Sequence, residues 1–291
     1  MNNLKGVIVK GIGGFYYVNT ENGLIECRAK GVFRKMSIVP LVGDIVEVEL
    51  NSDKISGVVA EISDRRNVLI RPAVANVTQM MLVTALESPK PNLYVLDKLI
   101  ASAEFAKLKI SLCFNKSDLT DDDTLPEIYK KAGFDVVVAS ASDNRNIDRL
   151  KALLKDEVTV LAGNSGVGKS SLLNRIMDKD MFETGSVSQR TERGRHTTRH
   201  SELVELPFGG YIIDTPGFSS FELTEVTLDI LPTLFREFTN HLGDCRFLDC
   251  RHISEPDCKV RRAVENGIIP QSRHESYKQL YEEIKAAVSY K

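Results

Sequence analysis

Two nucleotide motifs occur in an unusual order along this chain of 291 residues. Residues 163–171 read GNSGVGKSS, which fits the phosphate-loop pattern G-x-x-x-x-G-K-[ST]. Residues 115–118 read NKSD, the tetrapeptide that reads guanine. The usual order puts the phosphate loop first and NKxD near the end. Here NKSD comes first, so the nucleotide fold is expected to be circularly permuted. The switch regions then fall at the C-terminal end of that fold, and whatever follows is tethered to the part that senses the γ-phosphate.

The flanks set the rest of the architecture. Residues 1–68 read as all-β: GVIVKGIGGFYYVNT, LIECRA, DIVEVEL and SGVVAEI are short runs rich in β-branched and aromatic residues, punctuated by Gly13-Gly14, Asn22-Gly23 and Gly43-Asp44. About five strands in so short a span suit a small OB-like barrel. Between strands, Arg28, Lys30, Arg34 and Lys35 surround Phe33. That stretch is either a solvated loop or a nucleic-acid contact in which cations meet phosphate and Phe33 stacks on a base.

Residues 69–221 alternate apolar strand-length runs (VTQMMLVTAL, KISLCFN, FDVVVAS, VTVLAG) with helical segments (LYVLDKLIASAEFAKL, LPEIYKKAG, NIDRLKALLKD). This pattern predicts an α/β fold with a mostly parallel sheet. Ligands in such sheets bind at the carboxyl ends of strands. NKSD, Ser140-Ala141-Ser142, the phosphate loop and Asp214-Thr-Pro-Gly217 all follow strand runs. Residues 222–291 read as helical and irregular: LTEVTLDILPTLFREF, a Cys/His cluster, then HESYKQLYEEIKAAV.

Each nucleotide motif carries its own chemistry. Glycines in residues 163–168 let backbone N–H groups of Gly163, Asn164, Ser165, Gly166, Val167 and Gly168 face phosphates. The following helix adds its positive end. Lys169 is expected to neutralise β- and γ-phosphate oxygens, Ser170 to ligate Mg²⁺, and Ser171 to contact phosphate. The Asp118 carboxylate can accept two hydrogen bonds from guanine, which adenine cannot supply. Asn115 reads the other edge and braces the loop, the Lys116 stem lies over the base, and Ser117 completes the tetrapeptide. Ser140 and Ala141 resemble the motif whose backbone N–H meets guanine O6. Asp214 is expected to hold Mg²⁺ through water, and the Gly217 N–H to bind the γ-phosphate. The segment RTERGRHTTRH has the makings of switch I, with Thr197 or Thr198 as a Mg²⁺ ligand and Thr198 favoured. Its arginines 190, 193, 195 and 199 are either a solvated face or an RNA contact. After DTPG comes Phe218, where many GTPases carry a Gln that orients water. His196 is a candidate for that task; the alternative is that it packs or contacts phosphate.

Cys245, Cys250, His252 and Cys258 offer three thiolates and one imidazole within a short span, a set that matches a closed structural zinc site. His241 is a spare imidazole nearby. A closed site argues against a GTPase that hands metal on. Cys27 and Cys113 are expected to be core residues. Net charge is −2, so nucleic-acid binding must come from local patches. No apolar run approaches a membrane span, and the N-terminus lacks a signal-peptide pattern. Cytoplasmic localisation, no membrane partner and a monomeric state are expected.

With these motifs in this order, the chain resembles the small ribosomal subunit biogenesis GTPases, the circularly permuted, ribosome-small-subunit-dependent GTPase A family. The resemblance spans the whole length, from OB-like region through NKSD, SAS, GNSGVGKSS, GRHTT and DTPGF to the Cys-Cys-His-Cys set. It implies a multidomain protein: an OB-like RNA-binding barrel (1–68), a central circularly permuted α/β phosphate-loop GTPase domain (69–221) and a C-terminal α-helical zinc-binding domain (222–291). It implies binding to the small ribosomal subunit and its rRNA late in maturation, GTP hydrolysis to GDP stimulated by that subunit, and help in releasing assembly factors. It also implies one structural Zn²⁺ per chain and Mg²⁺ with GTP. The near-neutral N-terminal region departs from the strongly basic surface that an RNA binder would be expected to show.

Overall fold

A computed structural model describes residues 3–53, 55–70, 73–179, 201–214, 223 and 225–289, with the backbone only for Asp214, Val288 and Ser289. The chain forms two compact units, each assembled from separate stretches: Met1–Gln79 with Lys151–Leu161 and Ser188–Phe218, and Met80–Leu150 with Ala162–Val187 and Ser219–Lys291.

The first unit holds the barrel. Strands β1 (Asn3–Ile12), β2 (Phe15–Thr20), β3 (Gly23–Ala29), β4 (Ile45–Leu50) and β5 (Ser56–Ile62) follow the β-rich runs. β1 pairs with both β2 and β4, β2 with β3, β3 with β5, and β5 with β4. Five strands therefore close on themselves and leave no free edge. Alternation turns Ile8, Val18, Ile25, Cys27, Val46, Val48 and Val59 inward, where all are buried. The close passage of the chain at Gly43 needs glycine: its φ is +90°, and a Cβ there would stand 2.1 Å from the Ala75 carbonyl oxygen.

One expectation fails in this unit. The stretch after β3 is not an irregular loop but a short helix, α1 (Gly31–Lys35), and it buries Phe33. Phe33 is therefore a core residue and cannot stack on a base. Lys30 pairs with Glu49 at 2.7 Å and Arg28 lies over the Phe15 ring; Arg28, Arg34 and Lys35 are exposed. The apolar ring won over the loop because it could reach the barrel core.

The same unit contains the short pair β6 (Val68–Leu69) and β7 (Val74–Ala75). It also contains, by chain order, β11 (Val158–Ala162), β12 (Glu202–Glu205) and β13 (Tyr211–Asp214). β11 and β13 are parallel; β12 is antiparallel to β13 and meets β1 at Lys10 opposite Glu202, whose side chains pair at 2.9 Å.

The second unit carries β8 (Gln79–Ala85), α2 (Leu93–Phe105), β9 (Lys109–Asn115), α3 (Thr124–Lys131) and β10 (Asp135–Val138), with strand order β10-β9-β8 and β9 parallel to β10. β8 and β9 are buried along almost their whole length, as strands covered on both faces must be. α4 (Ile147–Leu154), of which only Ile147–Leu150 belong to this unit, and α5 (Lys169–Met177) follow. The C-terminal part adds 3₁₀ turns at Leu231–Leu234 and Arg236–His241, then α6 (Lys259–Glu265) and α7 (Gln271–Ser289). The helix expected over residues 223–238 is thus two 3₁₀ turns. Pro232 enters the first, and Phe235, between them, is extended at φ −108° and ψ 92°, which ends the helical hydrogen bonding. Phe235, Phe238, Val260, Tyr277 and Leu280 form a core that includes Ala101 of α2. Arg273 of α7, fully buried, reaches Asp97 of α2 and Glu237, each at 2.6 Å, and Asp97 also accepts from Tyr129 at 2.9 Å.

Candidate nucleotide site and metal centre

The phosphate loop runs from the end of β11 into the first turn of α5. Gly163 at φ +146° and Gly168 at φ +93° both require glycine, because a Cβ would lie 2.0 Å from the Val83 carbonyl oxygen and 2.3 Å from Asn115 Nδ2 respectively. The loop therefore fits the ends of β8 and β9 only without side chains. Lys169 Nζ sits in the mouth of the loop, donating to the carbonyls of Gly163 and Asn164, each at 2.7 Å. Desolvation lowers its pKa. Asn164, Ser165 and Gly166 are exposed, Val167 is buried as an anchor, and Ser170 and Ser171 lie half-buried in the first turn of α5.

Asn115, buried at the end of β9, ties three loops together. Its Nδ2 donates to the Val167 carbonyl at 2.8 Å, and its Oδ1 accepts from the Ala141 N–H at 3.3 Å. Lys116, at φ +63°, donates to the carbonyls of Gly166, at 2.8 Å, and Ser88. Its stem consequently spans the guanine tetrapeptide and the phosphate loop. Asp118 is exposed, and its Oδ1 accepts the Ser140 hydroxyl at 2.6 Å. That bond is the main reason its carboxyl lies below the usual range. Ser140 has one proton, spent on Asp118, so the Ser142 hydroxyl 2.8 Å away must donate to it. An exposed, pre-oriented carboxylate of this kind can take paired N–H donors on one edge of a base.

Two contributors, Arg145 and Arg175, are not visible in the motifs. Arg145 donates to the Ser117 carbonyl and to Asp143, both at 3.1 Å, and its own carbonyl takes the Ser140 N–H. Arg175, at the far end of α5, donates to the Ala141 carbonyl at 3.0 Å. Ser142 completes the relay. Ser117 itself turns inward and is buried. His196, Thr197, Thr198, Gly217 and Phe218, and the arginines 190, 193, 195 and 199, lie outside the described residues; of Asp214 only the backbone, at the end of β13, is described.

At the C-terminal end the four metal-type side chains converge. The Sγ atoms of Cys245, Cys250 and Cys258 and a ring nitrogen of His252 lie within 4.8 Å of one another. His252 Nδ1 stands 3.6, 3.5 and 3.4 Å from the three sulfurs in chain order, and Cys245 and Cys258 sulfurs are 3.9 Å apart. Sulfurs bound at about 2.3 Å around a tetrahedral centre stand about 3.8 Å apart, so the residues fit a four-coordinate ion with no position left open. Burial pushes the Cys250 thiol up to about 12 and raises Cys258 as well. A bound cation supplies the charge that favours their thiolate forms. His241 is not part of the group.

The comparisons with known proteins agree with this geometry. The family model described as RsgA GTPase matches residues 62–224, and that described as RsgA N-terminal domain matches residues 5–59. The chain is 47% identical to a protein of Ruminiclostridium cellulolyticum named small ribosomal subunit biogenesis GTPase RsgA, over 98% of this chain and 95% of that one. It is 46% identical to a protein of the same name from Caldanaerobacter subterraneus, over 98% and 97%. Among solved structures, YjeQ from Thermotoga maritima superposes with a TM-score of 0.83 at 34% identity, covering 97% of this chain and 99% of that chain. YloQ, a circularly permuted GTPase, gives 0.82 at 35% identity, covering 98% and 96%. The reversed motif order thus has a solved counterpart along nearly the full chain, and the protein is a GTP hydrolase that belongs to the RsgA GTPase family.

Proposed function

We propose that this GTPase acts in the biogenesis of the small ribosomal subunit, binding the subunit and its rRNA late in maturation and helping to release assembly factors as GTP becomes GDP. The observation that carries the reading is the 47% identity, over 98% of the chain, to a relative named for that role. The closed barrel of residues 1–68 serves as the RNA-binding part, residues 69–221 as the permuted GTPase and residues 222–291 as the zinc-binding part.

Asn115, Lys116 and Asp118 read guanine, with Ser140 and Ala141 behind them, and residues 163–171 cradle the phosphates. Lys169 offsets charge on the β- and γ-phosphates. Ser170 and Thr198 ligate Mg²⁺, which neutralises the charge that grows on the phosphate oxygens, while Asp214 holds its water and the Gly217 N–H meets the γ-phosphate. Phe218 has no amide to orient water, so His196 or a group of the subunit supplies that positioning, and the isolated enzyme is slow. One Zn²⁺ per chain is held by Cys245, Cys250, His252 and Cys258. The protein works as a cytoplasmic monomer; no described helix is long and apolar enough to cross a membrane.

The permuted order gives the switch its lever. Ordering by γ-phosphate and Mg²⁺ is a two-state element, and here the segment after Gly217 continues directly into the C-terminal module. By linkage, a subunit that prefers the GTP form tightens GTP binding by the same factor. A pelleting assay with purified small subunits tests the reading. Retention with a non-hydrolysable GTP analogue, release with GDP, and faster turnover in the presence of subunits are expected. Equal affinity in both states with no stimulation refutes it.

A further inference from the structure

Helix α7 supplies none of the four metal-type ligands, yet it grips the backbone that presents one of them. His252 sits at φ +61°, a left-handed conformation that disfavours any residue with a Cβ and that persists only where its surroundings hold it. Those surroundings are specific. His274 Nε2 lies 2.8 Å from the His252 carbonyl oxygen. A carbonyl only accepts, so Nε2 carries the proton and donates it. One turn further along α7, the Tyr277 hydroxyl donates to the Arg251 carbonyl at 2.6 Å. From the opposite side, the Glu255 carboxylate accepts the N–H groups of Arg251, Ile253 and Ser254 at 2.8, 2.9 and 3.0 Å. The carbonyls of Arg251 and His252 are therefore held from α7 and the amides of Arg251, Ile253 and Ser254 by Glu255, while Nδ1 faces three sulfurs.

Packing alone does not call for these residue types. His274 and Tyr277 are 6% and 0% exposed, stacked ring on ring beside Phe238. Apolar rings would fill the same volume, but they would take away the donors to one buried and one part-buried carbonyl. We propose that His274 and Tyr277 are positioning residues of the metal centre, which hold the His252 imidazole at its ligating angle without touching the ion. The proposal rests on the zinc reading given above. It adds that ligand geometry is set from a helix whose neighbouring Arg273 is anchored on α2 of the nucleotide fold.

The test uses the full-length protein, zinc affinity by competition with a chromophoric chelator, and cobalt(II) as a spectroscopic probe of the same site. Tyr277→Phe and His274→Ala are expected to weaken zinc by about 10- to 100-fold, the usual loss when an outer partner of a ligand is removed. They should also alter the cobalt d–d bands while far-ultraviolet circular dichroism and GTP affinity stay as in the parent. His274→Gln places an amide N–H donor at similar reach and should restore most of the affinity. If His274→Ala fails to fold, Tyr277→Phe and His274→Gln decide. Parent-like affinity and cobalt spectra in Tyr277→Phe overturn the proposal, as does a His274→Gln protein that loses zinc as badly as a full loss of the donor. Failure of the unmutated protein to bind either ion sinks the zinc reading and this inference with it; parent binding with unmoved variants sinks the inference alone.

Discussion

The side-chain amide of Asn115 stands 2.8 Å from the carbonyl oxygen of Val167, so the guanine tetrapeptide and the phosphate loop form one hydrogen-bonded unit. The other end of the same amide accepts the Ala141 N–H. The NKSD, Ser140-Ala141 and 163–168 loops, distant in sequence, are thereby held in register by a single buried side chain.

The join makes Gly168 a sensitive position. A methyl group there lies 2.3 Å from Asn115 Nδ2, and Asn115 is pinned from both sides. At φ +93° an L-residue also costs about 1–2 kcal/mol of backbone strain. Gly168→Ala is expected to weaken GTP at least about 10-fold, the equivalent of one lost loop contact of about 1.4 kcal/mol. Isothermal titration with a GTP analogue checks this; parent-like affinity means that the loops are not coupled through Asn115. Lys169→Ala, by contrast, should leave the loop in place and abolish turnover.

Base choice is expected to follow from Asp118. Its Oδ1 is held by Ser140 and the carboxylate is exposed. Asp118→Asn replaces one acceptor by a donor. GTP should weaken about 10- to 100-fold, the range for hydrogen bonds to a charged group, and xanthosine triphosphate should gain. Competition between the two nucleotides is the readout. A mutant that binds GTP as tightly as the parent would show that Asp118 does not read the base.

What the sequence made legible was whatever local pattern decides. β9 and β10 follow apolar runs, and the glycines of residues 163–168 announce a loop that must approach backbone closely. What it hid depends on docking. LTEVTLDILPTLFREF has helical composition, but Pro232 and the extended Phe235 break it into 3₁₀ turns against α2 and α7. Phe33 looked free because its neighbours are cations, yet the barrel core lay within its reach. Arg145, Arg175, His274 and Tyr277 act through carbonyls distant in sequence, and nothing in their own segments names those partners. The ligand set Cys245, Cys250, His252 and Cys258 was readable because thiols and imidazoles cluster in sequence as well as in space.

Arg273 is buried among Asp97, Glu237 and the rings of Tyr129, Phe134 and Phe235. Arg273→Met keeps most of the volume but strands two buried carboxylates. Breaking a buried pair from one side costs about 3–5 kcal/mol, a large share of the total stability of an ordinary domain. Chemical denaturation should show that loss, with Asp97→Asn/Arg273→Met less damaged than Arg273→Met alone. A single variant within about 0.5 kcal/mol of the parent would show that the pair contributes little to docking α7.

The metal prediction separates two imidazoles. His252 Nδ1 faces all three sulfurs, whereas His241 ends a 3₁₀ turn and stands outside the group. Protein purified without chelator should contain one zinc per chain by elemental analysis. His252→Ala should lose it, and His241→Ala should keep it. A closed four-ligand site cannot drop a ligand without admitting water, and a structural ion with an open position binds more weakly. Residues beyond about 240 should then loosen to proteolysis and hydrogen exchange while GTP still binds, because Asn115 and Lys169 make their contacts with the phosphate loop and Asp118 with Ser140, rather than with the metal-binding segment. Zinc lost in His241→Ala but retained in His252→Ala would move the fourth ligand, and protein free of zinc throughout would leave the four side chains as a cluster of thiols about an uncharged imidazole.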